Sequence, residues 1–164
     1  MNKFALMVIV TLTAWLQAYF FSALSGWHSV LNLLLPLLLA IVLTRSLMLS
    51  VTAALWGGFW LDVATPGPLG AHMLFYTTFV LVVVLLRRTG LEFNNRLLVG
   101  ALLGIGVLVY HNWLAVLSWL ATSSSLWQPG LWSYWLLDVL LVWFLAATLG
   151  RRFSRRLKAM GSWQ

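Results

Sequence analysis

The sequence predicts an all-α protein: a polytopic membrane helix bundle with six transmembrane helices and both termini on the cytoplasmic side. Three observations carry that expectation. Of 164 residues, 62% are hydrophobic and only 8% are charged, more apolar surface than a soluble domain of this size can hide. The apolar residues fall into six runs, and a spanning helix needs roughly 17–25 mostly apolar residues. All 10 lysines and arginines fall on one side of a six-span arrangement, which is the positive-inside pattern.

The first span covers 4–24 and follows Lys3. Tyr19, Phe20 and Phe21 stand where a signal peptide needs small cleavage-site residues, so the segment is expected to be retained. The second and third spans, 29–44 and 47–64, are short and closely joined. Arg45 and Ser46 between them, with Thr44 and Ser50 nearby, predict a tight hairpin. One long broken segment that does not cross twice is the alternative. The fourth span covers 71–87, and Arg87, Arg88 and Arg96 flank the connection after it. The fifth covers 97–120 and the sixth 131–149. The connections near 25–28, 65–70 and 121–130 contain no lysine or arginine. Trp27, Trp119, Trp127 and Trp132 cluster at these outer ends, as interfacial aromatics do.

Residues 1–150 thus form the transmembrane domain and 151–164 a basic juxtamembrane tail. In the tail, Phe153, Leu157 and Met160 recur at helical spacing among Arg151, Arg152, Arg155, Arg156 and Lys158. That pattern fits a short interfacial helix drawn to anionic lipids, at about 1 kcal/mol per basic residue. A topology anchor or a dock for a cytoplasmic partner fits it too.

The net charge is +7, with Asp62, Glu92 and Asp138 as the three acids. In a membrane chain the placement of charge outweighs its sum, so no nucleic-acid partner is expected. The absence of cysteine excludes disulfides and thiolate metal sites. Three histidines and three acids leave little material for a metal or catalytic site. No nucleophile–base pair or phosphate-binding glycine loop is apparent. The expectation is a non-enzyme without cofactor or metal, and Asp62 with His72 is the one pair worth testing.

The richest stretch runs from Gly57 to His72. It holds Gly58, Asp62, Pro66, Pro68, Leu69 and Gly70 where one apolar run ends and the next begins. Proline cannot continue a helix ladder, and glycine adopts backbone angles that other residues avoid. The stretch therefore reads as helix end, rigid turn, helix start. A carboxylate costs a few kcal/mol within a span unless it is paired or faces protein. Asp62 is expected to accept from backbone N–H groups of residues 65–71, including those at the start of the fourth helix, where an anion is favoured.

On the six-span topology the polar groups Gln17, Asn32, Asp62, His72, His111, Asn112 and Asp138 share a layer toward the outer leaflet. His111 and Asp138 match in depth and form a plausible pair. The layer fits helix-to-helix hydrogen bonding, an outward polar cavity, or a proton or ion path. The inner half, with Thr11, Thr13, Ser50 and Thr52, is poor in ionisable groups, which disfavours the path. Ala53 and Gly57, and Gly100 and Gly104, are spaced i, i+4. Such faces permit close helix approach, either to a partner or within the bundle.

The run Gly58-Phe59-Trp60-Leu61-Asp62-Val63-Ala64-Thr65-Pro66-Gly67-Pro68-Leu69-Gly70, followed by a new apolar helix, resembles the MreD family of rod shape-determining membrane proteins. The match that carries the motif covers 45–86. Length, span count and the basic tail are also similar. The turn departs from the family pattern in Pro66 and Pro68, where serine and glycine are commoner, and in Pro36, which lies deeper in its helix than the usual early proline. The resemblance implies a non-enzymatic scaffold of the bacterial elongation complex in the inner membrane. It implies an MreC-like partner, together with the RodA-type glycosyltransferase, its transpeptidase and MreB. The family is also similar in fold to the substrate-binding components of energy-coupling-factor vitamin transporters, so a solute-binding transporter component is the alternative.

Overall fold

The computed structural model describes residues 3–20, 32–65, 68–89, 96–122 and 138–140. Every regular element among them is a helix. They are α1 (Lys3–Trp15, continued by a wider π-helical turn Leu16–Phe20), α2 (Leu34–Thr44), α3 (Leu47–Ala64), α4 (Ala71–Arg88) and α5 (Arg96–Thr122). Residues 138–140 are helical as well. Three helices, Leu47–Ala64, Ala71–Arg88 and the Leu98–Leu117 part of α5, are long and apolar enough to cross a membrane. Lys3–Tyr19 and Leu34–Thr44 are apolar but shorter.

The third, fourth and fifth predicted spans therefore coincide with α3, α4 and α5 to within one or two residues. The second does not. Asn32 and Leu33 lie outside the helix, which starts at Leu34 and has 11 residues. Pro36 supplies the physical reason. In a helix extended through Asn32 its ring would clash with the carbonyl four residues back. In a first turn it costs nothing, because the N–H groups there have no intrahelical partner.

Despite its length, α2 is central. It contacts α1, α3, α4 and α5, and its Leu34, Leu35 and Leu38 are fully buried. The core continues through Leu6, Val10 and Ala14 of α1, Ala53, Ala54 and Leu61 of α3, Tyr76, Val80 and Val83 of α4, and Leu103 and Val107 of α5. The lower hydroxyls leave no donor to the apolar surroundings. Thr11, Thr13, Ser50 and Thr52 each donate to the carbonyl four residues earlier, at 2.8–3.0 Å.

The small residues on α3 serve this packing. Ala53 is fully buried. A Cβ on Gly57 would stand 2.9 Å from a Leu34 methyl and 3.0 Å from Val10 Cγ1. Gly100 and Gly104 of α5 are buried too, and the atom nearest a Cβ on Gly104 is Val139 Cγ1 at 3.5 Å. Of the candidate partner face Ala53, Gly57, Gly100 and Gly104, Ala53 and Gly57 fit the alternative of packing within the bundle. At Gly57 the close approach is made by the chain's own α1 and α2, through Val10 and Leu34.

Pro66, Gly67, Glu92, the tryptophans at 27, 127 and 132, the sixth span apart from 138–140, and the tail with Arg151, Arg152, Arg155, Arg156 and Lys158 lie outside the described residues.

Candidate functional site

At the end where α3 stops and α4 starts, Asp62 faces the first turn of α4. Thr65 closes α3 in an extended conformation, with its N–H bonded to Leu61 O at 2.9 Å. The chain then returns through Pro68, exposed Leu69 and Gly70, whose φ of 93° lies in the left-handed region. That angle suits glycine alone among ordinary residues at low cost. The turn delivers three backbone N–H groups to one carboxylate. Gly70 and Met73 donate to Asp62 Oδ2 at 3.0 and 3.3 Å, and His72 donates to Oδ1 at 2.9 Å. The His72 ring adds a fourth bond, Nδ1 to Oδ1 at 2.8 Å. Gly70 falls in the expected donor range of 65–71, and the other two donors lie just beyond it. Asp62 caps a helix start, where the first N–H groups are orphaned and carry partial positive charge.

The start of α2 is satisfied in the same manner, by three side chains from three places. Gln17, in the π-helical turn, accepts from Leu34 N–H at 3.0 Å through Oε1. Asn32 Oδ1 accepts from Leu35 N–H at 3.1 Å, an Asx cap. Asp138 Oδ1 accepts from Asn32 N–H at 3.2 Å. The other carboxylate oxygen of Asp138 lies 2.9 Å from His111 Nε2. Tyr76 joins these groups: its hydroxyl donates to Asn32 Oδ1 at 2.9 Å and accepts from Gln17 Nε2 at 3.4 Å. A helix that begins among apolar side chains has no water to bond its first N–H groups, so protein groups must do it.

Six of the seven polar-layer residues, Gln17, Asn32, Asp62, His72, His111 and Asp138, are thus buried and drawn together. Asn112 is not among them. It is exposed, and its Nδ2 donates to Leu108 O of its own helix at 2.7 Å. Two residues that bind the layer, Tyr76 and Tyr110, escaped the sequence reading. The Tyr110 ring centroid lies 5.9 Å from that of His72, 5.8 Å from Tyr76 and 5.5 Å from His111. Both were findable. Tyr76 follows His72 by one helical turn, Tyr110 precedes His111, and a phenol inside an apolar helix needs a polar neighbour. Trp113 closes the rim, its Nε1 donating to Ala71 O at 3.2 Å.

Chemically, the arrangement offers two separate carboxylate–imidazole pairs whose remaining acceptor sites are taken largely by backbone N–H groups. Among the described residues no three His, Asp or Glu side chains gather as metal ligands. Asn32 Nδ2 is a buried donor with no partner in the described structure. What fold and site define is a helical membrane protein with a buried, capped polar layer at one end. Comparison with protein-family models, with curated proteins and with solved structures returns no match for the chain.

Proposed function

We propose that this chain is an MreD-like, non-enzymatic scaffold of a rod-shape elongation complex, a six-span inner-membrane protein with both termini cytoplasmic. Its direct partner on this reading is an MreC-like membrane protein, and the RodA-type glycosyltransferase, its transpeptidase and MreB belong to the same assembly. The resemblance over 58–70 suggests the family. The observation that carries the choice of scaffold over solute carrier is the state of the polar layer. Among the described residues its buried groups bond one another and the starts of α2 and α4, which uses up most of the polar atoms a solute would need. The cleft formed by Val42, Arg45, Leu47, Val84, Arg87 and Arg88 lies at the opposite end of α3 and α4.

Because Ala53 and Gly57 face inward, a partner helix is left the outward positions. Photo-crosslinking residues at Phe59, Val63 and Leu69, which are 42%, 56% and 81% exposed, should capture an MreC-like protein in living cells. The same residue at Leu61, 1% exposed, should capture none. Capture of a cytoplasmic ATPase-coupled module instead, with a vitamin-like molecule in the purified protein, would favour the transporter component.

The topology has its own check. Single cysteines at Ser25 and Ser124 should react with an impermeant thiol reagent added outside intact cells. A cysteine at Asn94 should react only after the membrane is opened. Labelling at Asn94 alone would invert the arrangement.

A further inference from the structure

At the end of the bundle away from Asp62, α2 and α4 finish and α3 begins around a cleft of about 290 Å³ lined by Val42, Arg45, Leu47, Val84, Arg87 and Arg88. We infer that this cleft seats the phosphate of an anionic phospholipid headgroup, with the acyl chains lying along α4.

The ordinary role of arginine at a helix end is to meet the last carbonyls and flank a span. That accounts for Arg87, whose Nη1 donates to Val42 O at 3.3 Å and ties the end of α4 to the end of α2. It leaves the other donors of Arg87, and the two further guanidinium groups, on one cleft. Arg45 sits just past α2 in an extended conformation, and Arg88 is in the last turn of α4. Both carboxylates among the described residues, Asp62 and Asp138, are in the layer at the other end, hydrogen-bonded to His72 and His111. No carboxylate among the described residues pairs with these arginines.

A second source of positive potential meets the first. The N-terminus of α3 opens at Leu47, which lines the cleft. No side-chain hydrogen bond from Ser46 caps it, and the Ser46 backbone carbonyl accepts from Ser50 N–H at 3.1 Å and from the Ser50 hydroxyl at 3.0 Å. The first N–H groups of an uncapped helix favour an anion, phosphate above all. Three planar guanidinium forks and such a helix start match the oxygens of a phosphate ester.

The apolar part of the lining selects a lipid over a free phosphate. Val42, Leu47 and Val84 flank the charged groups. On α4, Leu81 and Leu85, 44% and 59% exposed, share a face with Val84 and Arg88 at i, i+3, i+4 and i+7. That strip offers an acyl chain a continuous track below the headgroup. Basic pockets between helices at a membrane surface are a known means of holding anionic lipids.

The test is native mass spectrometry of the full chain in detergent, with phosphatidylglycerol or phosphatidylcholine of identical acyl chains added. The wild type should retain phosphatidylglycerol at least about fivefold over phosphatidylcholine, the factor expected from a single basic contact. The triple variant Arg45→Gln, Arg87→Gln, Arg88→Gln should bring the ratio close to one. A tail variant with Arg151→Gln, Arg152→Gln, Arg155→Gln and Arg156→Gln should keep most of it. Since Arg87 also ties two helices, the double variant Arg45→Gln, Arg88→Gln guards against unfolding: it should keep the wild-type melting temperature and still lose most of the preference. An unchanged ratio in a folded double and triple variant would overturn the site, and so would loss of the ratio in the tail variant alone. Displacement of the lipid by inorganic phosphate at equal concentration would assign the cleft to a soluble phosphate instead.

Discussion

Gly58→Ala should leave little folded protein. A Cβ at this position would stand 2.6 Å from Met73 Cα, 2.7 Å from Met73 N and 2.9 Å from His72 C, all of them backbone atoms. A side-chain tip can rotate away from such a contact, but a helix backbone cannot. The remaining response is for α3 and α4 to separate, and the Met73 N–H that would be displaced is one of the Asp62 donors. Overpacking a core typically costs 1–3 kcal/mol, and a backbone clash belongs at or above about 3 kcal/mol. Gly57→Ala meets only the Leu34 and Val10 side chains and should cost about 1 kcal/mol. Gly104→Ala has its nearest contact at 3.5 Å and should be neutral or slightly stabilising, since alanine is the better helix former by about 1 kcal/mol. Size-exclusion profiles after graded heating would rank the three. Equal survival of Gly58→Ala and Gly104→Ala would mean that α3 and α4 do not approach this closely.

That ranking also shows how far the sequence could be read. The boundaries of α3, α4 and α5 were legible because each is a long apolar run with its own punctuation: Ser46 before Leu47, the proline–glycine turn before Ala71, the paired arginines at 87 and 88. The start of α2 was not. Apolar content runs on through its upstream residues, and only the exclusion of Pro36 from a helix interior moves the start to Leu34. The i, i+4 spacing of Ala53 and Gly57 announced a close contact but not with what. Spacing defines a face, and the choice between a partner and the chain's own α2 depends on how the other helices are arranged around it. Depth placed Gln17, Asn32, Asp62, His72, His111 and Asp138 in one layer. It also placed Asn112 there, because depth along a helix says nothing about rotation around it: Asn112 follows His111 by about 100° and points out. The arginine cleft was invisible for a related reason. Arg45, Arg87 and Arg88 read as topology signals one by one, and only the packing of α2 against α4 turns them into a site.

Asp62→Leu should be the most damaging single change at the α3–α4 turn. The carboxylate accepts from Gly70, His72 and Met73 N–H groups and from the His72 ring, at 3.0, 2.9, 3.3 and 2.8 Å. Leucine fills similar space and accepts nothing, so three N–H groups at a helix start and one imidazole lose their acceptor together. A buried donor left unpaired costs about 1–3 kcal/mol, and with several orphaned at once the loss should reach about 3 kcal/mol or more. Asp62→Asn is the informative companion. Its amide oxygen still accepts from one or two of the N–H groups, while its NH₂ faces donors and the favourable charge at the start of α4 is lost. It should therefore cost about half as much, still folding and still carrying an MreC-like partner on the scaffold reading. Melting curves of the two variants, with partner copurification from the same preparations, separate two roles for this residue. A graded loss, small for asparagine and large for leucine in both readouts, fits a carboxylate that holds the turn. Complete loss of cell-shape rescue in both, with normal melting and normal partner recovery, would instead mean that Asp62 acts as an ionised group in its own right.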